Sequence, residues 1–340
     1  METSQSLSEM TIAKNGNKLS ANVKNEPSHP NNSGNSKSNH FIEANSEEID
    51  ILSLEDDCIV PVFSKDNELT ISHPVFIETI WEAANSFFLG ETLGQPNIRV
   101  SHRIKGRIPS AIHKPVNKLL ESDKTMYYER MAFYFDIPDI NETINGQKIH
   151  LSIGGVRAYN NENLYGRKGK EKFKIFIGYQ NSSCCNLCVT TDGYLNKLEA
   201  TNTADLFISA LELFLRYNPE KQIKQMKSLV ESELTERQFA QIIGRMQLYQ
   251  YLSIKEQKEL PQMLFKDTQI NSIVKAYCNV KYSGNSNKKT NMWNFYNLLT
   301  EANRNSYIDL FLDRTLNATE LATGISKALN GDGVYRWFIE

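Results

Sequence analysis

The sequence predicts an α+β fold: an antiparallel meander sheet with packed helices, followed by a helical C-terminal region, after a disordered N-terminal tail. Three observations carry this expectation. Short runs in which apolar and polar residues alternate recur between Ile98 and Thr191, Asn145-Gly146 lies between two of them, and beyond Thr203 the apolar period becomes helical. No long helix separates the strand-like runs, whereas a parallel sheet needs a crossover of a dozen or more residues between strands.

From Met1 to Asp57 the chain is rich in Ser, Asn, Lys and Glu and almost free of aromatics. Such a segment cannot bury enough apolar surface to offset its ordering entropy, so residues 1–57 read as the disordered tail. Within it, Ile49 to Leu54 beside Glu55, Asp56 and Asp57 reads as a solvated stretch, with a short docking segment as the alternative. Residues 58–203 read as the α+β sheet domain and 204–340 as a helical region packed on the sheet.

The body opens with Cys58 to Phe63, where Pro61 marks an edge or strand end. Pro74 to Phe88 follows as a helix with Ile77, Trp81, Ala84 and Phe88 on one face, Pro74 in its first turn and Gly90 past its end. Ile98 to Ile104 reads as a strand, and Tyr127 to Ile137 as a half-buried one. In the latter, Met131, Phe133, Phe135 and Ile137 face inward and Arg130, Ala132, Tyr134 and Asp136 outward. Asn145-Gly146 predicts a type I′ hairpin that pairs Gln147 to Tyr159 with the preceding strand. After a polar loop from Asn160 to Lys170, Phe173, Ile175 and Ile177 alternate again, and Cys184 to Thr191 forms a further run ending at Asp192-Gly193.

Leu206, Ala210, Leu213 and Leu215 are placed in one helix, and Thr235 to Gln238 forms a capping box that opens a helix from Phe239 to Leu252. Further helices are expected over Lys255 to Leu264, Thr268 to Cys278, Asn291 to Ala302, Ser306 to Asp313 and Ala318 to Leu329, with a polar break at Ser283 to Lys289.

A chain of 340 residues with 40% hydrophobic and 23% charged content can build a large core, and its net charge of −2 names no partner by itself. No stretch reaches the roughly 20 apolar residues of a membrane span and the first thirty residues lack a signal-like apolar core, so the cytoplasm is the expected compartment. Five cysteines scattered over the chain point to reduced thiols rather than a disulfide framework.

Charge is concentrated rather than uniform. No acidic residue occurs between Glu91 and Glu121, and residues 92–174 hold fifteen lysines and arginines against eight acids. The candidate nucleic-acid contacts are Arg99, Arg103, Lys105, Arg107, Lys114, Arg157, Arg167, Lys168, Lys170 and Lys172. Tyr159, Tyr165, Phe173, Phe176 and Tyr179 are interleaved with them. Cations that follow a phosphate backbone beside rings on which bases stack are what a single-strand-binding surface requires, and an ordinary core with a solvated basic rim is the rival explanation.

Other chemistry finds little purchase. Phosphate-cradling, dinucleotide, nucleophile-elbow and zinc-protease motifs are absent, and His29, His40, His73, His102, His113 and His150 show no ligand spacing. Cys185 and Cys188 form a C-x-x-C without a second pair; on a regular strand they point to opposite faces and read as buried structural thiols. Asp136 and Asp139 around Pro138 read as turn residues rather than Mg²⁺ ligands. No catalytic residue, cofactor or metal is assigned.

Four segments carry a family resemblance: Ser101 to Ile108, Gly154-Gly155-Val156-Arg157-Ala158-Tyr159-Asn160, Phe176 to Asn181 continuing through Asn186 to Gly193, and Trp293 to Asn297 with Thr300-Glu301. Over residues 58–340 the chain resembles the domain-of-unknown-function family DUF3871. The segment W-x-x-Y-N-x-x-T-E and Gln180-Asn181 also resemble the broader phage/plasmid-like family DUF932. The resemblance implies a bacterial mobile-element protein and supplies no catalytic residue. With the basic segment it leads to an expected single-strand nucleic-acid-binding or annealing accessory protein. The rival readings are a protein-interaction or counter-defence module that engages a host or element-encoded protein, and an enzyme without a familiar motif.

Overall fold

The computed structural model describes residues 40–57, 71–111, 114–161, 170–182, 184–282 and 290–340. Its first elements are Glu47–Ile49 (β1), Ile51–Asp57 (α1), His73–Phe87 (α2), Asn97–Val100 (β2), Arg103–Arg107 (β3), Lys124–Tyr128 (β4), Arg130–Ile144 (β5), Gln147–Ala158 (β6), Glu171–Asn181 (β7) and Leu187–Ala200 (β8). Thr203–Arg216 (α3), Pro219–Glu231 (α4), Glu233–Leu234 (β9), Glu236–Tyr249 (α5), Ile254–Lys258 (α6), Asp267–Tyr282 (α7), Thr290–Asn291 (β10), Met292–Asn303 (α8) and Ile308–Leu329 (α9) complete it.

Asn145 and Gly146 take φ of 49° and 77°, the left-handed pair that a tight hairpin demands, so Ile144 lies opposite Gln147 and β5 runs antiparallel to β6. Around this hairpin a six-stranded antiparallel sheet has the order β1-β2-β5-β6-β7-β8. The strands pair as a meander from β5 onward, as the sequence predicts. Pro138 falls where the β5–β6 register shifts between Ile137 and Asn141, a position at which a missing N–H is tolerated. Asp192-Gly193 does not end its strand: β8 continues to Ala200, with a register irregularity opposite Phe176 and Gly178. A Cβ on Gly193 would stand 2.2 Å from the Ile177 carbonyl oxygen, so glycine is required there for close approach rather than for a turn.

Helices cover both faces of the sheet. On one side, Phe76, Ile77 and Ile80 of α2 and Leu206, Ala210 and Leu213 of α3 bury against Phe133, Phe135, Ile153, Ile175 and Ile177. On the other, Ile308, Phe311 and Leu312 of α9, together with Phe41 and Ile42, bury against Ala132, Tyr134, Val156, Phe176 and Val189. The expected half-buried strand is therefore buried on both sides: Tyr134 is 9% exposed and Ala132 1%. Alternation in β5 is real, but its outer residues meet a second core instead of water.

The folded body also begins earlier than Cys58. Phe41 and Ile42 are buried, Glu47 to Ile49 pair with Val100 to Ile98, and Leu54 of α1 is inaccessible to solvent. The expected boundary at Asp57 is thus corrected to about His40 among the described residues, because five apolar residues (Phe41, Ile42, Ile49, Ile51 and Leu54) dock onto the chain's own sheet and α2. Cys58 to Phe63 and Ser283 to Lys289 lie outside the described residues.

Two other boundaries differ. Ile98 to Ile104 is divided between β2 and β3, which belong to different sheets. Ser101 makes the division: its N–H donates to the Arg130 carbonyl and its Oγ accepts from the Arg130 N–H. The helices expected over Ser306 to Asp313 and Ala318 to Leu329 are one, α9. The polar residues between them are hydrogen-bonded inside the fold: Thr315 Oγ1 accepts from Asn303 Nδ2 at 2.9 Å, and Asn317 joins the Leu264 N–H and the Gln262 carbonyl. Leu206, Ala210, Leu213 and Leu215 share α3 as expected; the first three are buried, whereas Leu215, two residues beyond Leu213 and so on the far side of the helix, is 74% exposed.

Candidate functional site

Three of the expected contacts, Arg103, Lys105 and Arg107, fall at alternate positions of β3. Arg103, Lys105 and Arg107 lie opposite Tyr128, Met126 and Lys124 in the two-stranded β3–β4 ribbon, which is separate from the main sheet. Arg103 Nε donates to the Tyr128 hydroxyl at 3.0 Å, and the guanidinium stands 5.5 Å from that ring's centroid. Lys114, in the connection between the two strands, donates to both oxygens of Asp123 at 2.7 and 2.9 Å; Lys124 pairs with Glu121. A cavity of about 730 Å³ adjoins the ribbon, lined by Arg103 and Tyr128 together with Glu47, Glu48 and Asp50.

Two candidate contacts are not surface groups at all. Arg157 is fully buried: Nη2 donates to Glu171 Oε2 at 2.5 Å, Nη1 donates to the Ile71 carbonyl, and the rings of Tyr159 and Phe173 lie 4.5 Å away. Arg99 is 5% exposed and donates through Nη2 to the Ser46 carbonyl at 2.7 Å. A buried guanidinium must be paired and hydrogen-bonded, and these two satisfy that requirement within the fold, so neither reaches a phosphate. Lys170 and Lys172 are exposed at the start of β7, whereas Arg167 and Lys168 lie outside the described residues.

The proposed stacking platform is corrected as well. Tyr159, Phe173, Phe176 and Tyr179 are each 1–2% exposed and belong to the two cores, while Tyr165 lies outside the described residues. Sequence interleaving put rings next to cations because Arg157 itself sits among them. Among the described residues, the central strands β5, β6 and β7 carry core on both faces.

Cys184, Cys185 and Cys188 carry no sign of reactivity. Cys188 is buried in one core and Cys185 packs against the other, but not by strand alternation: the strand expected from Cys184 begins only at Leu187, and Cys185, with φ of 55°, lies in the connection before it. Burial raises the thiols of Cys184 and Cys185, and that of Cys188 to about 12, the opposite of an activated thiolate. Among the described residues there is no group of His, Cys, Asp and Glu that could hold a metal ion. Asp136 and Asp139 lie within β5 rather than in the expected turn, Asp139 at the register shift beside Pro138, where its Oδ2 accepts the Thr92 N–H at 3.3 Å.

Sequence reasoning missed two polar clusters. Gln147 Oε1 accepts from Trp293 Nε1 at 3.0 Å, Asn181 Nδ2 at 3.1 Å and Asn297 Nδ2 at 3.4 Å, tying the first residue after the hairpin turn to β7 and α8. Trp293, Asn297 and Asn181 all belong to the segments that carry the family resemblance, so these motif residues hold the sheet to the helical layer. In the second cluster Asp313 accepts from Lys174 Nζ and from the Tyr194 hydroxyl, both at 2.7 Å. It lies between cavities of about 560 and 500 Å³ that share Asn196, Leu310 and Asp313. Burial and the Asp313 carboxylate raise the Tyr194 phenol, which stays protonated. With lysine, phenol and carboxylate satisfying one another, the cluster pins α9 to β7 and β8 and offers no free nucleophile. Asp313 lies more than a hundred residues from Lys174 and Tyr194, and no local pattern announces the cluster.

The model of one family matches residues 28–339: "Domain of unknown function, B. Theta Gene description (DUF3871)". No curated protein and no solved structure matches the chain. Among the described residues no helix is long and apolar enough to cross a membrane.

Proposed function

This chain belongs to the domain-of-unknown-function family DUF3871, and from that premise we propose that it is a nucleic-acid-binding accessory protein of a mobile element, gripping the phosphate backbone through the β3–β4 ribbon. The mobile-element part rests on the likeness of Trp293 to Glu301 to the phage/plasmid-like family. One observation carries the nucleic-acid part: Arg103, Lys105 and Arg107 alternate along a ribbon outside the main sheet, in a stretch from residue 92 to 120 that holds no acid. A two-stranded ribbon is narrow enough to enter the major groove, and cations on alternate positions suit contacts to phosphates. Because four of the five rings considered for stacking are core residues, contact with the backbone of a duplex is favoured over base stacking on a single strand.

Fluorescence anisotropy of labelled duplex and single strand across a salt series tests the proposal. Duplex binding at low salt should weaken with a slope of about 0.9 per phosphate contacted, and the triple substitution Arg103→Ala, Lys105→Ala, Arg107→Ala should reduce that slope by about 2 to 3. Absence of binding at low salt, or an unchanged slope in a triple variant that keeps its circular dichroism spectrum, overturns it.

A further inference from the structure

The cavity of about 560 Å³ has three walls: α9, β8 and the segment between α6 and α7. In that segment Gln262, Leu264 and Lys266 line the cavity, while Met263 and Phe265 between them are buried in the core. Such alternation is that of an extended chain, and two side chains of α9 hold it in place. Arg314 Nε donates to the Leu264 carbonyl at 3.0 Å; Asn317 accepts the Leu264 N–H and donates to the Gln262 carbonyl, both at 2.8 Å. On α9 itself, Leu310, Arg314, Asn317 and Glu320 fall at spacings of four, three and three, which brings them to one face. Thr191, Tyr194 and Asn196 of β8 form the third wall.

The charges divide along its length. Arg314 is 8% exposed, and beyond its bonds to the Leu264 carbonyl and to Ser306 Oγ at 2.7 Å its Nη2 has no hydrogen-bond partner among the described residues. Lys266 is exposed, and its ammonium makes no ion pair with a described residue. Of the nearby acids, Asp313 is matched by Lys174 and the Tyr194 hydroxyl, and Asp309, which also faces Arg314, stands 3.9 Å from Arg130 Nε. Glu320 has no cation against it, and burial raises its carboxyl. It lies six residues beyond Arg314, about 9 Å along the helix. Because Arg314 reaches back to Ser306, its guanidinium is farther from Glu320 than that. The cavity therefore has a positive end and an acidic end, with Leu264, Leu310 and Leu316 also on its walls.

We infer that this cavity binds a small organic molecule with an oxyanion at one end, held by Arg314 Nη2 and Lys266, an apolar body against the three leucines, and a hydrogen-bond donor at the other end, facing Glu320. Its volume falls in the range of roughly 300–1,000 Å³ typical of small-molecule sites, and an inorganic ion would leave most of it unfilled. A largely buried guanidinium with an unpaired N–H group gains most from an anion, and carboxylate and phosphate both suit it. Because Arg314 and the wall from Gln262 to Lys266 are already fixed by hydrogen bonds, the ligand meets a preorganised site. A nucleoside monophosphate with an amino base and a long ω-amino carboxylic acid both have the required polarity and reach.

Isothermal titration calorimetry of the full chain at low ionic strength, with no nucleic acid present, tests the site. Adenosine monophosphate and ω-aminooctanoate are the probes; adenosine and octanoate, each lacking one end, are their controls. At least one probe should bind with a Kd below about 1 mM, and its control about tenfold more weakly. Which probe binds tells whether the oxyanion is a phosphate or a carboxylate. Lys266→Ala should weaken that binding about tenfold with an unchanged circular dichroism spectrum, whereas Lys275→Ala, on the exposed side of α7, should leave it as it is. Leu310→Trp, which fills the cavity, should abolish it. Failure of both probes, equal affinity for a probe and its control, or a Kd that Lys266→Ala does not move overturns the inference. None of these outcomes depends on whether the β3–β4 ribbon binds a duplex.

Discussion

Replacing Glu171 by alanine tests whether the buried Arg157–Glu171 pair anchors the start of α2. Glu171 is 3% exposed and Arg157 fully buried, so solvent cannot compensate a lone guanidinium there. Besides Arg157, the carboxylate accepts the Ile71 N–H at 3.0 and 3.1 Å, and Arg157 itself donates to the Ile71 carbonyl. The two charges thus grip both sides of Ile71, next to the Ser72 cap of α2. Removing one partner of a buried pair costs about 3–5 kcal/mol, chiefly because the other charge is stranded. At about 2–4 °C per kcal/mol for a large domain, Glu171→Ala should lower the melting temperature by about 10 °C. Glu171→Gln, which keeps an acceptor for Ile71, should cost about half as much. The double substitution Arg157→Met, Glu171→Leu should recover most of the loss, because Tyr159 and Phe173 already provide an apolar sandwich for the side chain. Thermal and urea unfolding followed by circular dichroism give all three values. A loss below about 1 kcal/mol for Glu171→Ala, or a double variant as unstable as the single, would refute the assignment.

Two further predictions concern other buried groups. His73 donates from Nε2 to the Tyr128 carbonyl at 2.9 Å, and burial, reinforced by Arg157, lowers its pKa to about 3. The unfolded chain takes up this proton below about 6.5, so the stability His73 contributes is present above that pH and is lost as pH falls towards 3, by about 2 kcal/mol at pH 5. Burial raises Glu78 and Glu320, which act in the opposite sense, so the readout is the difference between wild type and His73→Leu. His73→Leu should flatten the decline between pH 7 and 5, and equal slopes would contradict the account. Gln147→Leu strands the buried indole N–H of Trp293 and should cost about 2 kcal/mol, whereas Gln147→Glu keeps an acceptor and should cost less. Equal urea midpoints for the two variants would show that the three hydrogen bonds carry no stability.

The meander was legible because its signals are local. Asn145-Gly146 sets a hairpin by backbone preference alone, Thr235 to Gln238 forms its capping box within one turn, and alternation in β5 is a property of adjacent residues. What failed depended on partners distant in sequence. Whether Tyr134 faces water is decided by Phe41 and α9, more than ninety residues before it and some 170 after it. Arg157 looks like a surface cation until Glu171 and Ile71 close around it. Thr315 and Asn317 look like a helix break until Asn303, Gln262 and Leu264 supply their hydrogen bonds. Of the candidate site, the acid-free run of cations between Glu91 and Glu121 was visible, but the strand expected over Ile98 to Ile104 stopped short of Lys105 and Arg107, whose place on β3 depends on pairing with β4.

Closure of the sheet's second face by α9 has a consequence for biosynthesis. Tyr134, Val156 and Phe176 are translated early, and Ile308, Phe311 and Leu312 come more than a hundred residues later. At about 5–20 residues per second, a nascent chain carries an open apolar sheet for about 7–26 s before its cover emerges. A stop codon placed ahead of Ile308 makes that interval permanent, and such truncated products should collect in inclusion bodies or on chaperones.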